Sequence, residues 1–192
     1  MVLNTAYLSL GSNIEPETNI KSAVELLARH TKLLAVSSVW ETKPVGFTKQ
    51  ANFLNAAAIV QTKLPAQQLK ERALRKIEKL LGRVRQANKN APRSIDIDIM
   101  LFNRQIFTMG HRHIPDPEIL ERPFVALPLA EIAPDYVHPE TGQTLKEIAE
   151  SFNVSNEDMF LREDVSRVLA HFVQRSSSIF SHLNPINLER KT

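Results

Sequence analysis

Residues 92–102 read PRSIDIDIMLF, and the fold turns on how this stretch is folded. Ile95, Ile97 and Ile99 alternate with Asp96 and Asp98. That period of two predicts a β-strand with three isoleucines on one face and both carboxylates on the other. Aspartate is disfavoured in strands because its short side chain competes for the backbone. A strand that needed only a solvated face would use Thr, Lys or Glu, and two adjacent anions repel each other. A cation between them removes the repulsion, and hard divalent ions such as Mg²⁺ take oxygen ligands of this kind. For this segment alone, an edge strand with a solvated acidic face is the alternative.

Immediately upstream, the segment RVRQANKNAPR carries Arg83, Arg85, Lys89 and Arg93. A basic loop running into an acidic strand suits a site that holds metal and polyphosphate together. Guanidinium forks donate paired hydrogen bonds to phosphate oxygens, and the metal neutralises charge between them. A surface loop whose arginines merely balance the acids is the competing reading. Neither a Walker A motif nor G-x-G-x-x-G is present, which excludes the common phosphate-loop classes. Gly11-Ser12-Asn13 predicts a turn too short to cradle a triphosphate. His111 and His113 lack a third ligand of suitable spacing and read as surface histidines.

Further out, the chain alternates strand and helix signals. TAYLSL at 5–10 predicts a first strand, and a helix follows from about residue 17 to 30, with Ile20, Val24 and Leu27 at helical spacing. Residues 33–42 and 52–62 predict two more strands. Pro65 opens a strong helix that Gly82 closes, and the SIDIDIMLF strand comes next. A turn at Asn103 predicts a hairpin return through QIFTM. The order β-α-β-β-α-β is that of a ferredoxin-like split β-α-β sandwich, an α+β fold with helices packed on an antiparallel sheet. Beyond the proline-rich IPDPEILERPF, helices are expected in FVALPLAEIA and TLKEIAESF. From about residue 153, Ser155 and Asp158 predict the cap of a helix running to about residue 174, with Leu161, Val165, Val168, Leu169 and Phe172 as its stripe. The expected division is therefore a domain over 1–152 and a C-terminal helical extension over 153–192.

The 192 residues, 43% hydrophobic and 23% charged, have the make-up of an ordinary globular domain, so no second core is expected. Zero cysteines exclude disulfides, thiolate catalysis and Cys-based zinc. No apolar run approaches a membrane span and no signal peptide is visible, so a cytoplasmic location without a membrane partner is expected. A net charge of +3 with only 6% aromatics argues against a nucleic-acid partner. Two segments can wall a flat ligand. Thr42 precedes a Pro/Gly loop, and Phe53 and Asn55 share one strand face, although a core Phe53 and a strand-end Asn55 would read the same way.

Six segments in order, YLSLGSN, ETKPVG, NFLNAA, EKLLGRVR, APRSIDIDIMLF and ERPFVALPLAEIAP, resemble the 6-hydroxymethyl-7,8-dihydropterin pyrophosphokinase family of folate biosynthesis. The resemblance spans roughly residues 5–152. It implies transfer of the pyrophosphoryl group of ATP to the pterin's hydroxymethyl oxygen, leaving AMP, with two Mg²⁺ ions. It also implies Asp96 and Asp98 as metal ligands and catalytic residues, with Arg83 and Arg93 as catalytic phosphate contacts. Glu78, Arg85, Lys89, Ile99 and Arg122 complete the implied ATP side, and Thr42, Val45, Gly46, Phe53, Asn55 and Phe124 the pterin side. Two positions depart from the family pattern. Asp116 stands where the family commonly has His, and Lys89-Asn90 where it often has Arg-Trp. The C-terminal helix has no counterpart in the resemblance. Docking on the domain is expected of it, with self-association or a fused enzyme partner left open.

Overall fold

The computed structural model describes residues 3–84, 88, 90–155 and 158–182, with the side chains of 173–182 excepted. β1 (Asn4–Ser12) leads through a short turn into α1 (Pro16–His30), whose buried Ile20, Val24 and Leu27 follow the expected spacing. β2 (Lys32–Val36), β3 (Trp40–Thr42) and β4 (Phe53–Thr62) follow. The sheet runs β5-β1-β4-β3-β8, β2 pairing beside β3 on the same edge of β4, and every pairing is antiparallel. β4 lies between β1 and β2, which is the split arrangement read from the element order.

The 33–42 strand is two strands. Ser37 takes over the ladder position between them, its N–H donating to Ala57 O at 2.9 Å and its hydroxyl accepting from Ala57 N–H at 2.8 Å. The helix after Pro65 is continuous but not uniform. It is α-helical over α2 (Ala66–Gln68), π-helical over Leu69–Leu74, and α-helical again over α3 (Arg75–Leu80). A π turn holds extra residues per turn, and both Leu69 and Lys70 consequently face inward. Gly82, at φ 75°, closes the helix as expected.

β5 (Asp96–Phe102) divides its faces as read, with Ile95, Ile97 and Ile99 buried against α1 and the 66–80 helix. The opposite face carries Met100 into a second apolar cluster, under α4 (Glu118–Glu121), α5 (Pro123–Ile132) and α6 (Leu145–Glu150). Helices thus cover both faces, and the second set stops short of Asp96 and Asp98. The return from Asn103 does not pair with β5. Asn103 is pinned at φ 51°, exchanging backbone and side-chain hydrogen bonds with Thr5 at 2.8 Å each. β6 (Phe107–Met109) therefore pairs with β7 (Arg112–Ile114) as a separate ribbon.

The C-terminal segment also departs from expectation. Ser155 bonds Asp158 at 2.6 Å in a turn, not at a helix start. β8 (Met159–Leu161) then adds to the sheet edge beside β3, and α7 (Glu163–His182) begins only after Arg162. Val165 and Leu169 of α7 join the main core cluster, with Phe172 packed against it. The helix docks on its own domain, and self-association through it finds no support. Among the described residues, no helix is long and apolar enough to cross a membrane.

Candidate active site

Three adjacent strands build the floor. Gly11 of β1 pairs with Asn55 of β4 on one side and Asp96 of β5 on the other, and Ser9 pairs with Asp98. A side chain at Gly11 would meet Asn55 Oδ1 at 3.3 Å, so glycine keeps the floor low between amide and carboxylate. Asn13, expected only as part of a turn, anchors the basic loop. Its Oδ1 accepts from Arg93 N–H at 2.7 Å, and its own N–H donates to Arg93 O at 3.0 Å. Ser12 Oγ donates to Ser94 O.

Over this floor lies a cavity of about 340 Å³, walled by Thr42, Val45, Gly46, Phe53, Asn55, Arg122 and Phe124. Thr42 and Asn55 are buried, and Asn55 Nδ2 donates to Thr42 Oγ1 at 2.8 Å, which leaves the amide oxygen to the cavity side. A groove of about 910 Å³ runs on past Arg83, Arg93, Arg112 and Asp116. Asp96 and Asp98 line both spaces and stand at their junction. The loop carrying Gly46 meets the basic loop here, since Gln50 Nε2 donates to Asn90 O at 2.9 Å.

The acids are held by cations of the chain. Asp96 Oδ2 accepts from Arg93 Nη1 at 2.6 Å, with Arg83 Nη2 at 3.8 Å. Asp98 Oδ1 accepts from Lys70 Nζ and its Oδ2 from Arg112 Nη2, each at 2.9 Å. Burial pushes the Asp98 carboxyl up, but Lys70 and Arg112 overcome this and hold it below the usual range. Burial dominates at Asp116 and raises its carboxyl, although Glu118 N–H donates to it at 3.1 Å and Arg112 Nη1 lies 3.6 Å away. The carboxylate at 116 thus meets an arginine and a backbone N–H. Carboxylate oxygens of Glu78, Asp96 and Asp98 all lie within 4.8 Å of one another. This all-oxygen donor set fits a hard ion such as Mg²⁺ better than a softer metal.

Two residues expected on the ATP side have buried side chains. The Ile99 side chain faces the core on the opposite side of β5, as its place in the alternation requires. Glu78 is buried beside the free edge of β5, where its Oε1 accepts from Ile97 N–H at 3.0 Å and from Lys70 Nζ at 2.9 Å. Arg85 and Lys89 lie outside the described residues. Lys70 and Arg112, both on Asp98, were not anticipated. One sits in an amphipathic helix and the other between two histidines, and neither position carries a local signal of its partner.

Paired acids between a basic groove and an aromatic-walled cavity, on a split β-α-β sheet, define a phosphoryl-group transferase. The family model for 7,8-dihydro-6-hydroxymethylpterin-pyrophosphokinase (HPPK) matches residues 7–134. The 2-amino-4-hydroxy-6-hydroxymethyldihydropteridine pyrophosphokinase of Bacillus subtilis is 45% identical over 132 residues, 67% of this chain and 78% of that protein. Its Aquifex aeolicus counterpart is 38% identical over 144 residues, 74% of this chain and 89% of that one. The chain is also similar to the wild-type Plasmodium falciparum HPPK-DHPS crystallised with pterin and p-hydroxybenzoate, at TM-score 0.64 and 16% identity. That match covers 83% of this chain but only 45% of the Plasmodium chain. The chain belongs to the HPPK family: it is an ATP-dependent diphosphotransferase acting on 6-hydroxymethyl-7,8-dihydropterin in folate biosynthesis.

Proposed function

We propose that the groove takes ATP, the cavity takes the pterin, and Asp96 and Asp98 hold two Mg²⁺ ions where the two substrates meet. The junction position of the acid pair carries this reading. Arg83, Arg93 and Arg112 serve the phosphates, with Arg122 at the rim. Phe53 and Phe124 flank the pterin ring, and the Asn55 amide, fixed by Thr42, hydrogen-bonds its edge. Val45 and Gly46 close over it.

The pterin hydroxymethyl oxygen attacks the β-phosphorus, the bond from that phosphorus to the bridging α,β-oxygen breaks to release AMP, and the hydroxyl proton leaves to solvent. The nucleophile is a neutral alcohol, so catalysis rests on positioning and charge neutralisation. Bound at Asp96 and Asp98, Mg²⁺ would neutralise phosphate charge and polarise the β-phosphorus. Arg93 and Arg83 orient the phosphate chain, and the aromatic plates aim the hydroxymethyl group. ATP and the reduced pterin, both small molecules, are the partners, and the proposed setting is the cytoplasm, where ATP is held.

Chromatography of nucleotides tests the reading. Pterin-dependent AMP without ADP is expected with Mg²⁺, and none after chelation. Equal AMP formation with and without the metal would overturn the metal assignment and leave the transfer reaction intact.

A further inference from the structure

Lys70 is a buried charge that the proposed reaction does not use. Its side chain is 8% exposed, inside the π-helical turn and beside the fully buried Leu69. The ammonium donates to Glu78 Oε1 at 2.9 Å, Asp98 Oδ1 at 2.9 Å and Ile97 O at 2.5 Å. An ammonium has three donors, and three acceptors surround this one. Glu78 in turn accepts the Ile97 N–H. Lys70 and Glu78 therefore grip both backbone polar groups of the residue that separates the two aspartates.

Glu78, Asp96 and Asp98 together form a three-carboxylate cluster with oxygens within 4.8 Å of one another. Such a set alone attracts a divalent cation. Lys70 places a fixed positive charge inside it and occupies the Glu78 oxygen and one oxygen of Asp98. Arg112, on the other Asp98 oxygen, is 33% exposed at the groove and free to yield to an incoming ligand, whereas Lys70 is enclosed.

We propose that Lys70 is a resident cation that positions Asp98 and withholds Glu78 from metal coordination, so that a divalent ion is held only together with nucleotide phosphates. This rests on the metal-nucleotide reading above. The physical reason is competition: the ammonium repels a dication entering the same carboxylates at short range. Only the added phosphate oxygens make up the missing ligands and charge.

Mn²⁺ is the probe, counted as the free ion by electron paramagnetic resonance at neutral pH. Without nucleotide, wild-type protein is expected to bind it weakly. Lys70→Met and Lys70→Gln, the latter keeping a hydrogen-bond donor, are expected to bind it about tenfold tighter or more. Lys70→Met/Glu78→Gln, which removes one charge of each sign, is expected to return toward the wild-type affinity because the third carboxylate is gone. Tight binding of bare Mn²⁺ by the wild type overturns the proposal however the variants fold, and so does equal affinity across the series. A parallel titration of wild type with a non-hydrolysable ATP analogue separates the two claims. Absence there of any Mn²⁺ uptake beyond what the analogue chelates without protein sinks the metal-nucleotide reading itself, whereas unchanged bare-ion affinity sinks only the role of Lys70.

Discussion

The guanidinium carbon of Arg93 stands 5.5 Å from the centre of the Phe53 ring, while its Nη1 reaches Asp96 at 2.6 Å. One side chain thus touches an aromatic wall of the cavity and an acid at its junction with the groove. If Arg93 moves toward a phosphate in the groove it leaves the ring face, so occupancy of one space is expected to be felt in the other.

Phe53→Leu removes the plate and keeps an apolar side chain of similar reach. Aromatic stacking is worth about 0.5–1.5 kcal/mol beyond area. The Michaelis constant for the pterin should rise up to roughly tenfold, with a smaller change for ATP through Arg93. Steady-state kinetics with each substrate varied in turn checks this, and an unchanged pterin constant would remove Phe53 from the substrate site.

Asp98→Asn should lower turnover by about 10²–10³, the scale of losing one preorganised charge at a reaction centre. The fold should survive, because Lys70 keeps Glu78 and Ile97 O. Turnover measured beside a far-UV circular dichroism spectrum decides it. Near-normal activity in a folded variant would sink the two-ion reading.

Leu169, fully buried in the main core, tests whether α7 is part of the folding unit. Leu169→Ala is expected to cost about 2–5 kcal/mol in urea unfolding, the range for a buried leucine. A chain ended at residue 152 should be destabilised further, since it also bares the β3 edge. Unchanged midpoints would instead support an independent domain over 1–152.

His138 is buried, its Nε2 has no partner among the described residues, and burial lowers its pKa below the ordinary 6.5. The unfolded chain therefore binds the proton first as pH falls. Its contribution to stability is complete above the unfolded value and is lost as pH drops from there through the folded value. His138→Asn retains an acceptor for the Glu140 and Thr141 N–H groups but does not titrate. Its melting temperature should fall less than that of the wild type between about pH 7.5 and 5.5. Parallel pH profiles would rule out a buried neutral imidazole.

The alternation of Ile95–Asp96–Ile97–Asp98–Ile99 determined by itself which side chains enter the core and which enter the site, because face selection in a strand is a local, period-two property. The spacing of Ile20, Val24 and Leu27 did the same for α1, and the strand and helix order carried the split sheet. Tertiary structure decided the rest. Residues 159–161 read as helix from their neighbours, yet they form a strand because the β3 edge, about 120 positions earlier, offers Trp40–Thr42 as hydrogen-bonding partners. The alternation also turns the Ile99 side chain inward, although resemblance puts this residue on the ATP side. The π turn and the inward Lys70 depend on Glu78, Ile97 and Asp98 being in reach at once, as Arg112 depends on where β7 crosses the end of β5. A charge is buried or exposed according to partners distant in sequence, and no local pattern records those partners.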